Sequence, residues 1–258
     1  HKVVVGFDDQ WRVSKFKHRV GSILGSLGYF SRFYSHAWVS GPYQFEYARR
    51  LGFSKEKIIF DLLSADSNLF PNAYKSNSED KKNKYPHKFV YVGRFEHVKG
   101  IDILLKAWAS LGDKKKDWTL HCIGNGSQLN LISESEDVVI SDFLQPQELI
   151  NVVKDSGCFI LPSRSEPWGV VIHEFAAAGL PLISSNAVGA NTTFLIHGVN
   201  GFLFENESHE DLASAMIKII NLSDKKLEEF SSASNNLSDR ISSKTSANNF
   251  LSLLSLEN

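Results

Sequence analysis

The chain has 258 residues, of which 42% are hydrophobic and 22% are charged, and its formal net charge at pH 7 is −1. This composition is typical of a globular protein and lacks the basic excess that indicates a nucleic-acid partner. No apolar run is long enough to span a membrane, and both cysteines, Cys122 and Cys158, lie in apolar runs that are typical of buried free thiols in a reducing cytoplasm.

The stretch up to Phe7 is mostly apolar and predicts a strand. Because His1 is not an initiator, we expect the given sequence to begin within that strand. We therefore expect the chain to be a fragment of a longer protein. Beyond this strand, apolar residues recur near helical spacing from Val13 to Tyr34, and arginine and lysine cluster at the start of that segment.

Two interpretations of segment 13–34 stay open. A basic amphipathic helix can lie on an anionic membrane surface, which would make the protein peripheral at the cytoplasmic membrane. We favour a helix packed on its own sheet, because Gly21, Gly25 and Gly28 suit close packing and weaken an isolated helix.

Strand and helix patterns alternate along the rest of the chain, which predicts an α/β protein. The polar, charge-rich stretch 75–88 interrupts the alternation and predicts a mobile surface loop. The predicted elements before residue 158 are strands at His36–Val39, Lys57–Leu62, 89–92 and Thr119–Ile123, and helices at Pro42–Leu51 and Ile101–Leu111.

The stretch from Cys158 to Ser184 is the most informative part of the chain. A buried strand (Cys158–Leu161) leads through a polar turn into an apolar helix that Gly179 closes, and a second strand begins at Pro181. Two strands joined by one helix form a parallel crossover, and ligands of such sheets bind beyond the carboxyl ends of the strands. The polar turn 163–168 therefore predicts a ligand site.

The residues of this turn indicate the chemistry of the ligand. The free amides of Gly169, Val170 and Val171 and the positive end of the helix dipole suit a phosphate. Glu166 and Glu174 would repel a phosphate, so they are better suited to paired hydroxyl groups, and the combination predicts a nucleotide sugar. The alternative is that Glu166 is a solvated turn residue and Glu174 a surface helix position.

The two glutamates lie in Ser-Glu-Pro-Trp-Gly-Val-Val-Ile-His-Glu-Phe-Ala-Ala-Ala-Gly-Leu-Pro, and Asn-Gly-Phe-Leu-Phe follows at Asn200–Phe204. This series resembles the paired-glutamate motif of retaining GT-B glycosyltransferases of family 4. The resemblance implies two Rossmann-like lobes, each with a parallel sheet and helices on both faces. Residues 1–63 would be the last part of the acceptor lobe, and residues 64–258, including the last helix, would be the donor-binding lobe.

The resemblance also implies the roles of individual residues. Arg94 and Lys99 lie in a Gly-Arg…Lys-Gly pattern that matches the diphosphate loop of the family, and Glu166 would contact the donor sugar near the reacting carbon. Glu174 would hold the ribose, and Leu144 would contact the base through its backbone. The remaining donor contacts that the resemblance implies are Gly93, Gly124, Gly126 and the helix amides of Gly169, Val170 and Val171.

The implied reaction is transfer of a sugar from a UDP- or GDP-type donor to a carbohydrate or lipid-linked acceptor, with retention, in surface polysaccharide or glycoconjugate synthesis. No Asp-x-Asp triplet occurs in the chain, so the sequence predicts neither a metal site nor another cofactor. A nucleotide-sugar epimerase of the same fold is one alternative. A non-catalytic nucleotide-sugar-binding lobe is the other, because part of the acceptor lobe would be missing and the fragment alone could be inactive.

Overall fold

The computed structural model describes residues 2–133, 135 and 137–255. The strands are β1 (Val4–Phe7), β2 (His36–Val39), β3 (Ile58–Ile59), β4 (Lys88–Val92), β5 (Thr119–Ile123), β6 (Val138–Ser141), β7 (Cys158–Leu161), β8 (Leu182–Ser185) and β9 (Gly201–Phe204). The helices are α1 (Phe16–Ser26), α2 (Pro42–Arg50), α3 (Leu69–Asn83), α4 (Ile101–Ser110), α5 (Leu129–Ser133), α6 (Pro146–Lys154), α7 (Val170–Ala177), α8 (Asn191–Phe194), α9 (His209–Ile220), α10 (Asp224–Ser238) and α11 (Ser243–Ser255).

The chain divides into two compact units. The first consists of His1–Ala65 and Ile241–Asn258, and the second of Asp66–Arg240. This division differs from the predicted lobes in its last segment, because α11 groups with the first unit and not with the donor lobe. Inside the first unit, Asn249 on α11 donates a hydrogen bond to the Asp61 carboxylate at 2.8 Å, and the rings of Phe250 and Trp38 lie 4.9 Å apart.

The first unit contains a parallel three-stranded sheet in the order β1-β2-β3. Along β2 the side chains alternate, so that Ala37 and Val39 are buried while Trp38 is only partly covered. Ala37 and Val39 form a core with Ala48 of α2, Phe53 and Ile58.

The predicted helix at 13–34 is shorter in the structure, where α1 covers only Phe16–Ser26. Gly28 ends this helix: it adopts a φ of +73°, and the amide of Tyr29 returns to the carbonyl of Leu24 at 3.0 Å. A glycine in the left-handed region is a common helix terminator. A short 3-10 turn, Phe30–Arg32, follows.

The second unit contains a six-stranded, fully parallel sheet in the order β6-β5-β4-β7-β8-β9. Every side chain of β7 and β8 is buried, as expected for central strands of a parallel sheet covered on both faces. Cys122 and Cys158 are free and buried, as predicted. The α/β class with parallel sheets, predicted from the alternating pattern, is confirmed.

The prediction of a mobile loop at 75–88 is wrong over most of its length, because α3 continues to Asn83. This polar helix buries one narrow stripe: Phe70, Ala73, Asn77 and Lys81. Asn77 donates to the carbonyl of Lys154 at 2.9 Å and Lys81 to that of Ser156 at 2.9 Å, which satisfies polar groups at and beyond the end of α6. Composition alone does not reveal such partners.

None of the helices in the described ranges has the length and apolar character needed to cross a bilayer.

Candidate active site

A cleft of about 300 Å³ lies at the carboxyl ends of β4 and β7 in the second unit. This is the edge of a parallel sheet at which ligands bind in such folds. Seven of the predicted site residues line it together with Val92 and Leu161; they are Gly93, Arg94, Lys99, Glu166, Gly169, Val170 and Val171.

The amino end of α7 forms one wall of the cleft. Gly169 precedes the helix with a φ of +91°, and a Cβ at this position would lie 2.9 Å from Cγ of Glu166, so glycine permits this close turn. The first intrahelical bond runs from the amide of Ile172 to the carbonyl of Gly169 at 3.0 Å. The amides of Val170 and Val171 precede that bond, so they remain available to an anion.

Lys99 and Glu166 form an ion pair across the cleft wall, in which Nζ of Lys99 donates to Oε2 of Glu166. Both side chains are largely buried, with 19% and 15% of their surfaces exposed. Lys99 ends the 3-10 turn after β4, and Glu166 lies in the turn after β7. The pair therefore joins the two loops and places a cation and a carboxylate side by side in the cleft.

Arg94 lies in the same loop as Lys99 and is exposed. The buried hydroxyl of Tyr91 donates to the backbone carbonyl of Arg94 at 2.8 Å and so fixes the start of the loop. Burial raises the pKa of Tyr91, which keeps the hydroxyl protonated as a donor. Arg94 lines the cleft, and because the residue is exposed, its guanidinium can reach a ligand from solvent.

A second ion pair, which the sequence analysis did not predict, joins the turn 163–168 to the loop that carries Lys99 and to α4. Arg164 donates to both carboxylate oxygens of Asp102, at 2.7 and 2.8 Å, and to the carbonyl of His97 at 2.6 Å. Hydrogen bonds from Arg164 lower the pKa of Asp102. The only signals in the sequence are an acid in the first turn of α4 and an arginine in the turn 163–168.

Gly124 and Gly126 lie in the loop after β5 and do not line the cleft. A Cβ on Gly124 would lie 2.0 Å from the carbonyl oxygen of Gly93, and one on Gly126 would lie 2.6 Å from that of Phe95. The amide of Phe95 also donates to the carbonyl of Asn125 at 2.9 Å. These two glycines thus allow the loop after β5 to pack against the loop that carries Arg94, and their predicted contact with the donor stays a prediction.

Leu144 lies beyond β6 and outside the cleft lining, and it is half-buried. The Asp142 carboxylate stabilises the turn after β6: its Oδ1 accepts from the amide of Phe143 at 2.7 Å and from the side chain of Asn125 at 3.2 Å. The base contact predicted for Leu144 stays a prediction.

Glu174 is one turn along α7 from Val170, on the same face of the helix. Its side chain is half-buried, and burial raises its pKa, with a further contribution from the nearby Asp66 carboxylate. No side chain or backbone group in the described ranges donates a hydrogen bond to this carboxylate. A partly buried carboxylate without a protein donor can accept hydrogen bonds from the hydroxyl groups of a ligand.

His173 is buried on α7 and does not line the cleft. Its Nε2 lies 3.0 Å from the carbonyl of Ser238, and its ring stacks on Phe194 at 4.1 Å. Burial lowers its pKa to about 4, so the imidazole is neutral near pH 7. Trp168 is also buried, against the edge of Phe194, and closes the turn.

The described residues hold no group of three histidine, cysteine or acidic side chains that could bind a metal ion.

A sequence model of the family described as glycosyl transferases group 1 matches residues 74–236, well over half of the chain. The chain belongs to this family. The matched region contains every predicted site residue. This assignment favours neither the epimerase nor the binding-lobe alternative.

This glycosyltransferase family member covers only part of the length of its relatives. An uncharacterized glycosyltransferase of Haemophilus influenzae is 28% identical over 181 residues, which are 63% of this chain and 51% of the relative. An uncharacterized 41.2 kDa protein in the cps region of Klebsiella pneumoniae is 29% identical over 208 residues, or 78% of this chain and 57% of that protein. The chain therefore spans about half the length of the curated relatives it matches.

The crystal structure of Anabaena HepE in complex with UDP is similar in fold. It superposes with a TM-score of 0.78 at 18% identity and covers 99% of this chain and 72% of the HepE chain. The fold of this family member is thus the GT-B type that was predicted.

Proposed function

We propose that this glycosyltransferase family member transfers a sugar from a nucleoside diphosphate sugar, of the UDP or GDP type, to an acceptor hydroxyl with retention of the anomeric configuration. One observation carries the proposal: the amides at the start of α7 and the cations Arg94 and Lys99 line the same cleft as the carboxylate of Glu166. Cations and helix amides suit a diphosphate, and a carboxylate suits sugar hydroxyls.

In the proposed reaction the bond between the anomeric carbon and the diphosphate oxygen breaks, the acceptor oxygen bonds to the same carbon, and the proton of the acceptor hydroxyl passes to the departing diphosphate. Negative charge then accumulates on the departing diphosphate. Arg94, Lys99 and the helix amides would stabilise this charge more strongly in the transition state than in the bound donor, which is the condition for acceleration. Glu166 would orient the sugar, and its pairing with Lys99 would keep both groups in position before the donor binds.

The finer parts of the proposal rest on particular residues. Glu174 would accept hydrogen bonds from the ribose hydroxyls, since it lies one helical turn after Val170, which lines the cleft. Gly93, Gly124, Gly126 and the backbone of Leu144 would face the rest of the nucleotide. Retention rests on the paired-glutamate motif, and independence of a metal ion on the absence of an Asp-x-Asp triplet from the sequence.

The acceptor that we propose is a carbohydrate or lipid-linked hydroxyl in the synthesis of surface polysaccharide or glycoconjugate, in the cytoplasm. The Klebsiella pneumoniae relative from a cps region supports this role, and HepE, crystallised with UDP, supports the donor class.

Calorimetric titration with UDP, GDP and ADP in the presence of EDTA tests the proposal. One nucleotide should bind, and Arg94→Ala and Glu174→Ala should each weaken binding by about 1.5 to 3 kcal/mol, the usual contribution of a hydrogen bond to a charged group. Lys225→Ala and Glu229→Ala on the exposed face of α10 are the matched controls. If no nucleotide binds to the folded chain, the donor proposal fails; if one binds without transfer to any acceptor, the chain is a binding lobe.

A further inference from the structure

The loop between β8 and α8, residues 186–190, lies against the backbone of Glu166; we call it the β8–α8 loop. The amide of Glu166 donates to the carbonyl of Ala187 at 3.4 Å, and the carbonyl of Glu166 accepts from the amide of Gly189 at 3.1 Å. These bonds pair the two segments as neighbouring parallel strands pair. No residue of the β8–α8 loop lines the cleft, so any effect of the loop on a ligand passes through the residues that it holds.

Further contacts extend this pairing to the end of the turn that carries Glu166. The amide of Ala190 donates to the carbonyl of Trp168 at 2.8 Å. Val188 is 1% exposed, and its Cγ1 would lie 3.2 Å from a Cβ on Gly169, so the valine side chain fits against that glycine. The β8–α8 loop therefore supports the turn from Glu166 to the residue before α7.

Asn191, the first residue of α8, holds the two ends of the β8–α8 loop together. It is 7% exposed, and its Nδ2 donates to the carbonyl of Ser185, the last residue of β8, at 2.7 Å. The hydroxyl of Ser185 in turn donates to the carbonyl of Ser163 at 2.5 Å. Asn191 thus anchors the loop to the end of β8, and Ser185 anchors that point to the turn after β7.

A buried asparagine of this kind can serve stability alone, and Asn77 on α3 is an example. Asn77 is 8% exposed and donates to the carbonyl of Lys154 at 2.9 Å, but neither residue lines the cleft or bonds to a residue that does. Asn191 differs, because the segment that it closes is bonded to the backbone of Glu166. The place of a side chain depends on its backbone, so a shift of this loop would move the Glu166 carboxylate.

We propose that Asn191 is a positioning residue, which acts through the β8–α8 loop to fix the Glu166 carboxylate against the donor sugar. The inference rests on the proposed function, in which Glu166 contacts the sugar while Arg94 and Lys99 contact the diphosphate. The loop is bonded to the turn after β7 and not to the loop after β4 that carries both cations. Loosening the β8–α8 loop should therefore weaken the sugar contact more than the diphosphate contacts.

Calorimetry with UDP and UDP-glucose, and with GDP and GDP-mannose, measures the ratio of donor affinity to nucleotide affinity without an acceptor. Asn191→Ala should lower this ratio roughly fivefold, about the contribution of one hydrogen bond that is no longer aligned. Glu166→Gln should lower it roughly tenfold or more, because the charged acceptor is lost. Ser185→Ala, a smaller change that removes the bond to Ser163, should act in the same direction and keeps the test available if Asn191→Ala does not fold.

The double variant of Asn191→Ala with Glu166→Gln separates positioning from a general loss of structure. Its ratio should equal that of Glu166→Gln alone, because the loop acts on the sugar only through Glu166. Asn77→Ala is the matched control: it removes an equally buried amide bond and should lower the free energy of unfolding without changing the ratio. Amide hydrogen exchange tests the loop without a ligand, and Asn191→Ala should speed exchange at Glu166 and Gly189 roughly tenfold more than Asn77→Ala does.

Three results would overturn the inference: exchange at Glu166 that is no faster in Asn191→Ala than in Asn77→Ala, a ratio that falls equally in both, or a ratio that falls further in the double variant than in Glu166→Gln. A failure of the proposed function looks different. Glu166→Gln would then leave the ratio unchanged although exchange in Asn191→Ala is faster. That result would remove the sugar contact and leave the coupling between the loop and the turn in place.

Discussion

Arg164 and Asp102 are paired through two parallel hydrogen bonds of 2.7 and 2.8 Å, although 62 residues separate them in the sequence. Arg164 belongs to the turn that carries Glu166, and Asp102 begins the helix that follows Lys99. The amide of Arg164 also donates to the carbonyl of Val98 at 2.9 Å. The two loops that line the cleft are therefore joined by a backbone bond, a bidentate ion pair and the contact between Lys99 and Glu166.

Removing this ion pair should loosen the cleft. We expect Arg164→Ala to lower the free energy of unfolding by about 1.5 to 3 kcal/mol, because a largely buried carboxylate loses its charged partner. Nucleotide affinity should fall with it, since the loop carrying Lys99 is no longer held. Arg164→Lys should restore little, because lysine cannot form two parallel bonds to one carboxylate.

Urea unfolding and calorimetry measure these two effects, with Lys106→Ala on the outer side of α4 as a control. A variant Arg164→Ala that keeps both the stability and the nucleotide affinity of the unaltered chain would show that the pair does not position the cleft.

Glu166→Gln and Lys99→Ala should differ in their effect on nucleotide affinity. Removing the Glu166 charge takes a carboxylate away from the diphosphate position and frees Lys99, so we expect binding of the nucleoside diphosphate to stay equal or become tighter. Removing the Lys99 charge should weaken binding roughly tenfold or more. Transfer of the sugar should fall in both variants.

Calorimetry with the bound nucleotide separates these outcomes from a general loss of structure, and Glu229→Gln on α10 is the matched control. Weaker nucleotide binding by Glu166→Gln in a folded protein would contradict the assignment of this residue to the sugar.

Gly124 should tolerate no side chain. We expect Gly124→Ala to cost about 1 to 3 kcal/mol of unfolding free energy or more, because its Cβ would overlap the carbonyl oxygen of Gly93. Gly112 is a useful comparison: its φ of +49° also disfavours alanine, but nothing lies within 4 Å of the added Cβ. Gly112→Ala should therefore lower the free energy of unfolding only through the strain of a positive φ, by about 1 kcal/mol. Equal losses in urea unfolding would exclude the proposed clash.

His173 should make stability depend on pH in mildly acidic solution. Its pKa is about 4 in the folded chain and near 6.5 when unfolded, mainly because burial disfavours the charged ring. Between these values the unfolded chain binds more protons, so stability present above pH 6.5 is lost as the pH falls towards 4. The loss should be on the order of 3 kcal/mol.

Urea midpoints measured across this range test the effect. His173→Phe should show a flatter dependence, because phenylalanine can keep the contact with Phe194 but cannot take up a proton. An unchanged slope in this variant would mean that other groups dominate the pH response.

Much of the second unit could be predicted because its signals are local. The strand at Cys158–Leu161, the helix after Gly169 and the strand after Pro181 were recognised from a run of fewer than thirty residues. Residues that are close in the sequence determine these elements: an apolar run forms a buried strand, and glycine permits the sharp turn into the helix. The alternating order of elements likewise determines the α/β class, and it brings the residues of the cleft to one edge of the sheet.

Only the tertiary structure reveals the elements and ion pairs that depend on residues far apart in the sequence. Helix α3 forms from a polar sequence because Asn77 and Lys81 find carbonyl groups beyond residue 150. Arg164 pairs with Asp102 because two loops meet at the sheet edge. Periodicity shows which residues of α1 share a face, but only the backbone of Leu51 and Gly52 determines that the glycine face turns inward and the apolar face outward.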